Sequence, residues 1–358
     1  MTSTRFALGT FIAPGGSPFA ALVVGERVFE LERHLDAGVS VRALVDGWPE
    51  AFSRLQALAD RLASQSADHE LDALRPLPPL QPFGQVFQAG ANYRQHVLDL
   101  LAGAERRGDS SDGLTAADRD RAREELDERA RSGRPFVFLG SANAMVGARD
   151  DVVLPDDTHQ HDWELELAAV IGKPARRVPR ERALDVIAGY TICNDLTVRD
   201  ALSRPDTREL GLDWLAGKNA PTFLPTGPLL VPAAYVDDPM DLRVTLRVNG
   251  RTMQDETTAD MLFDVAELIE HISTVSELRP GDIVLTGSPA GNGAYHGVFL
   301  QPGDVMEGEI SGLGRQRNRC VAEHGSSDDA LATKAQAAAP PPALAQGAEP
   351  PGGGTRWA

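Results

Sequence analysis

The sequence is short of cysteine, of positive charge and of uninterrupted hydrophobic runs, and each shortage closes a set of readings. Its two cysteines, Cys193 and Cys320, sit in apolar, strand-like surroundings and make no metal-ligand spacing. A disulfide-stapled scaffold and a thiolate metal site are thereby excluded, and the pair reads as reduced, buried thiols of a cytoplasmic protein. Lys and Arg number 35 against 52 Asp and Glu, a formal net charge of −17. That balance argues against nucleic acid and against an anionic membrane as partners. It leaves room for a small anionic substrate, because a bound divalent cation reverses the local field. Residues 6–24 are apolar but broken by Gly15, Gly16 and Pro18, so they form neither a signal core nor a membrane span.

The chain, at 358 residues, is long enough for one large core plus a smaller satellite domain. Residues 1–80 have the character of a small α+β domain: strands at 6–12 and 19–24 around a Pro-Gly-Gly turn, then helical spacing at 41–45 and 51–63. The Pro-rich stretch 74–83 is the expected connector. Residues 81–323 form the expected catalytic domain. Within it, 103–134 changes abruptly to a highly charged segment, with Thr115 and Asp118 spaced as a capping box and almost no apolar stripe behind them. A helix polar all round is an excursion rather than core, and this one is expected to act as a lid. From 135 onward the pattern is mostly strands (136–139, 151–154, 164–171, 187–192, 242–248, 283–286, 305–310), with helices at 261–272 and 182–186. The fold class is therefore mainly β within α+β. Residues 324–358 are Ala/Pro/Gly-rich and are expected to be a disordered tail.

Chemistry concentrates in a few short segments. In HDWELELAAVIG, Glu164 and Glu166 are two apart on a strand and leave the same face. Two like charges beside a core are costly unless cancelled, and a hard divalent cation does this with oxygen ligands. The alternative is an edge strand with two solvated glutamates. Asp195 ends an apolar strand in GYTICNDLTVRD, where a bland aspartate would be a turn former. Lys218 lies in the loop-like LAGKNAPTF, where a lone lysine is ordinarily a surface charge. His96 and Asp99, three apart in NYRQHVLDL, share a helical face. A carboxylate beside an imidazole is what a general base requires, and a capped surface helix is the alternative. The pair His159 and His161 is left out as incidental. LTGSPAGNG, residues 285–293, is a backbone cradle for an anion or carbonyl without the spacing of a P-loop or a dinucleotide fingerprint.

Taken in order, NYRQH, WELELAAVIGK, GYTICNDLTVRD, GKNAPTFLPTGP, VNGRTMQDETT, PGDIVLTGSPAGNG and LQPGDVMEGEISGLGRQRN resemble the fumarylacetoacetate hydrolase superfamily over roughly residues 82–320. The resemblance implies a mixed β-sandwich roll as the catalytic body, and a homodimer. It implies Glu164, Glu166 and Asp195 as ligands of Mg²⁺ or Mn²⁺, with Ca²⁺ as an alternative. It further implies Lys218 beside the metal, His96 with Asp99 as a water-activating pair, and Tyr93, Arg199, Thr286 and Gly287 as substrate contacts. Three positions depart from the family pattern: Gly140 where relatives often carry lysine, Leu202 where glutamine is common, and Pro221 in place of an aspartate.

The expected activity is metal-dependent hydrolysis of a carbon–carbon bond in a 2,4-dioxo acid, releasing pyruvate or an equivalent oxo acid. A hydratase, isomerase or decarboxylase of an unsaturated 2-oxo acid is the first rival. An inactive homologue serving as a binding subunit is the second.

Overall fold

Strand alternation along one central segment organises the molecule. The computed structural model describes residues 3–107 and 115–324; the tail beyond them and the 108–114 part of the expected lid lie outside the described residues. The strand Leu165–Ile171 is buried along its whole length. It pairs antiparallel with Ile187–Asn194 on one side and Ile283–Leu285 on the other. An eight-stranded sheet grows outward from this trio, reaching Phe136–Gly140 through Val86–Gly90 on one flank and Met145–Gly147 through Leu224–Thr226 on the other.

The two faces of the central strand bury against different partners. Its odd positions, Leu165, Leu167, Ala169 and Ile171, share a core with Val244, Leu246, Met306 and Ile310. These last residues come from a second sheet of five strands, in the order Arg251–Thr257, Arg243–Val248, Val305–Ile310, Gly314–Ala322 and Val152–Leu154. The sheets approach so closely at Gly308 that a Cβ there would stand 2.7 Å from Leu165. The even positions Ala168 and Val170 instead share a core with Leu22, Val45, Trp48 and Leu55 of the N-terminal segment. That segment has its own five-stranded sheet and the helix Trp48–Leu62, and Leu8 bridges directly to Leu230 of the body.

The fold is thus sheet-dominated α+β, as the sequence implies. Helix boundaries moved most. The segment expected at 261–272 is helical over Val265–Val275, because Asp264 and Glu267 close a capping box there, while Met261 is held in a backbone bridge to Tyr93. The charged helix runs over Ala116–Ser132 with the Thr115–Asp118 capping box in place. Among its described side chains the buried apolar anchor is Leu126, and Arg129 lies 5.6 Å from the Phe263 ring centroid. No helix among the described residues is long and apolar enough to cross a membrane.

Candidate metal centre

Glu164 and Glu166 continue the even-numbered face of the central strand beyond the point where the N-terminal core stops covering it. Asp195 follows the neighbouring strand Ile187–Asn194, and its amide donates to the Glu164 carbonyl at 2.8 Å. The antiparallel pairing therefore brings the third carboxylate beside the first two. One oxygen from each of the three lies within 4.8 Å of the others, and all three residues are buried.

The charge balance around them is incomplete. Lys218 donates to Glu164 Oε2 at 2.7 Å, to Asp195 Oδ2 at 2.7 Å and to the Asp195 carbonyl at 3.0 Å, which occupies all its hydrogens. Arg199 donates to Asp162 Oδ2 at 2.9 Å and to Glu164 Oε1. Asp162, Glu164, Glu166 and Asp195 are thus four buried carboxylates facing two cations, Lys218 and Arg199. Burial resists ionisation of Glu164, but Lys218, Arg199 and His96 together pull its carboxyl below the usual range. At Glu166 burial and then the Asp195 charge outweigh the pull of Lys218 and of the Gly287 amide, and the carboxyl is pushed well above the ordinary value. Burial raises Asp195 as well, against the pull of Lys218. A dication supplies the charge this cluster lacks, and three hard oxygen donors suit Mg²⁺ or Mn²⁺. The residues present fit such an ion.

Further groups hold the ligands in place. Gly287, at φ +92°, donates its amide to Glu166 Oε2 at 2.7 Å. Gln88 Nε2 donates to Asp195 Oδ1 at 2.6 Å. Glycine at 140 leaves the Gln88 amide its present place: a Cβ there would stand 2.1 Å from Gln88 Oε1, so the Gln88 side chain would have to shift. A lysine at 140 would thus disturb the group that holds Asp195.

His96, Glu164, Asp195, Arg199 and Lys218 line one cavity of about 260 Å³. His96 Nε2 lies 4.0 Å from Glu164 Oε1, and Asn292 Nδ2 lies 3.4 Å from His96 Nδ1. Burial, more than any neighbouring charge, lowers the imidazole to about 4, so the ring is neutral at physiological pH. Asp99 is buried one helical turn on, where it accepts from Gln95 Nε2 at 2.8 Å and lines a separate cleft of about 210 Å³ with Asp118 and Tyr295. Tyr93 and Thr286 are fully buried and are not among the described lining residues; the Thr286 hydroxyl donates to the Leu167 carbonyl at 3.0 Å. Leu202 lines the cavity, whereas Pro221 is exposed on a turn. Larger clefts of about 470 and 550 Å³ lie elsewhere on the surface and contain none of these groups.

The family model for the C-terminal domain of fumarylacetoacetate (FAA) hydrolase matches residues 85–321. The chain belongs to the fumarylacetoacetate hydrolase family. Among family relatives, a 2,4-didehydro-3-deoxy-L-rhamnonate hydrolase of a Sphingomonas strain is 33% identical over 82% of this chain and 93% of its own length. A human mitochondrial oxaloacetate tautomerase is 41% identical over 52% of this chain, and the match spans 59% of the tautomerase. The crystal structure of a probable 2-hydroxyhepta-2,4-diene-1,7-dioate isomerase from Mycobacterium abscessus is 28% identical and superposes with a TM-score of 0.66, covering 89% of this chain and 100% of that one. Enzymes of this family thus put hydrolytic and isomerising chemistry on one fold, so fold alone does not choose between them.

Sequence reasoning missed Gln88, Asp162 and Asn292. Each acts through a contact made across 100 residues or more, or through a partner (Arg199) contacted 37 residues away. Gln88 is an uncharged amide with no local pattern that marks it, and Asn292 lies in the 285–293 glycine loop, whose reading as a backbone cradle left its side chain out. Asp162 had a signal, as a charged residue set just before the apolar Trp163 and the Glu pair.

Proposed function

We propose that the protein is a metal-dependent hydrolase that cleaves a carbon–carbon bond of a 2,4-dioxo acid. The observation that carries this reading is the buried His96 opening onto the same cavity as Glu164 and Asp195, two of the three clustered buried carboxylates. A bound Mg²⁺ or Mn²⁺, held by Glu164, Glu166 and Asp195, would supply Lewis acidity at the 2-oxo and carboxylate oxygens. His96 takes a proton from water as the water oxygen bonds to C4. The C3–C4 bond then breaks, its electron pair passes to the three-carbon fragment as an enolate, and a proton returned to C3 completes pyruvate. The C4 fragment leaves as a carboxylic acid. Lys218 and Arg199 keep positive charge beside the site where the enolate charge grows, the kind of fixed electrostatic support that lowers such barriers most.

A second reading, proton transfer within an oxo acid as in a tautomerase, is favoured by the 41% identity to the human relative. One experiment separates the two. The Mg²⁺-loaded protein is incubated with acylpyruvates and with enol-form oxo acids. Loss of diketone absorbance with stoichiometric pyruvate supports the hydrolase; enol-to-keto conversion without pyruvate supports the tautomerase. His96→Ala is expected to lower kcat by about 10²–10⁴-fold, the scale of a lost general base, with metal affinity unchanged by calorimetry. A parallel loss of metal binding would make His96 a ligand and remove it from the water-activating step.

A further inference from the structure

The cavity over the carboxylates has a lining of two chemical kinds, charged and apolar. Its charged lining groups contact one another around Glu164 and Asp195. Another part of its lining is aromatic: Phe138 stacks on Trp214 with ring centroids 4.4 Å apart and planes 23° from parallel, and Phe136 lies 5.6 Å from Trp214. Gly90 permits this packing, since a Cβ there would stand 2.8 Å from the Phe136 ring. Leu202 and Leu212 extend the apolar wall. Phe136 and Leu212 remain 46% and 48% exposed, so the wall offers apolar surface that the fold has not used.

Resting on the assignment of the charged lining as the binding place of the oxo-acid head, we propose that the apolar wall recognises an uncharged, flat apolar tail. The substrate class is then an oxo acid bearing an aryl or alkenyl group, and not one with a second carboxylate at the far end. Two observations argue against a distal carboxylate. The cations lining the cavity, Lys218 and Arg199, are both engaged by buried acids, and no other Lys or Arg among the described residues lines it. Position 140 is glycine and adds no cation, and a side chain there would have to displace the Gln88 amide that holds Asp195. A carboxylate lodged against Phe138 and Trp214 would lose its hydration with nothing in return. A phenyl group there gains both burial and offset stacking.

The test measures binding to the Mn²⁺-loaded full-length protein by calorimetry, using oxo acids that lack a 4-oxo group and so are not cleaved. Two probes of similar length are compared: 2-oxo-4-phenylbutanoate and 2-oxohexanedioate. The phenyl tail is expected to bind about 10–10²-fold more tightly, the discrimination an apolar pocket ordinarily achieves. Phe138→Ala should shrink that ratio, and Phe136→Arg, at a side chain already half in solvent, should shift it toward the carboxylate tail. Equal or tighter binding of the dicarboxylate, binding of neither probe, or loss of affinity for both by the same factor in Phe138→Ala would overturn the proposal. The hydrolase reading fails separately, if a phenyl-tailed acylpyruvate binds with this preference but is not cleaved.

Discussion

The even-numbered face of the central strand changes character half-way along. Ala168 and Val170 are packed against the N-terminal core, where Trp48 approaches Gly172 so closely that a Cβ there would stand 3.0 Å from it. Glu164 and Glu166, four and two residues back from Ala168, are also buried but look into the cavity and onto the Gly287 amide respectively. Both halves are buried; compensation is what differs. In the lower half close packing does the stabilising, and a polar atom would find nothing to bond. In the upper half charge has been gathered beyond what Lys218 and Arg199 offset, which sacrifices stability for a place to hold a cation.

The largest effect is expected at Glu166. Replacing it with Ala should abolish turnover and Mg²⁺ binding, while the metal-free protein keeps or gains thermal stability because a poorly compensated buried carboxyl has gone. A metal-free variant that melts well below the parent in calorimetry would mean that Glu166 is structural and would break the comparison.

Next comes Gly140→Ala. Its methyl group would displace Gln88 from Asp195, and metal affinity should fall by about 10–10²-fold, the usual scale for removing a group that orients a ligand. Unchanged affinity by titration would show that Asp195 needs no such support.

Val170→Thr probes the opposite half. The near-isosteric hydroxyl should lower stability by about 1–3 kcal/mol in denaturant unfolding, through an unsatisfied buried polar atom, with Mg²⁺ affinity at the parent value. Equal sensitivity of both halves to small polar changes would erase the distinction.

The smallest effect is in pH dependence. The folded, metal-free protein holds Glu166 and Asp195 above their ordinary values, so between those values and the raised ones it binds protons that the unfolded chain has released. Stability contributed by these groups is therefore present at acid pH and lost as pH rises through the raised range. Metal binding requires the ionised forms, so the gain in Tm on adding Mg²⁺ should be larger at about pH 7.5 than at about pH 5. An equal gain at both would mean that the carboxyls ionise normally without metal.

Much of this was legible in the residues themselves. The i, i+2 spacing of Glu164 and Glu166 put both on one face because strand geometry is local, and the apolar run behind them marked that strand as buried. The capping box at Thr115 and Asp118 was legible for the same reason, since it is satisfied within one turn. Helix limits near 261 were not, because a bridge from Met261 to Tyr93 competes with local propensity there. Only the tertiary structure decided which groups meet the carboxylates. Sheet pairing brought Asp195 to Glu164, an amide 107 residues away came to hold it, and two aromatic segments far apart in the sequence came to line the same cavity. Local periodicity carries the direction in which a side chain leaves the backbone; what waits there is set by long-range pairing, to which the flanking residues are blind.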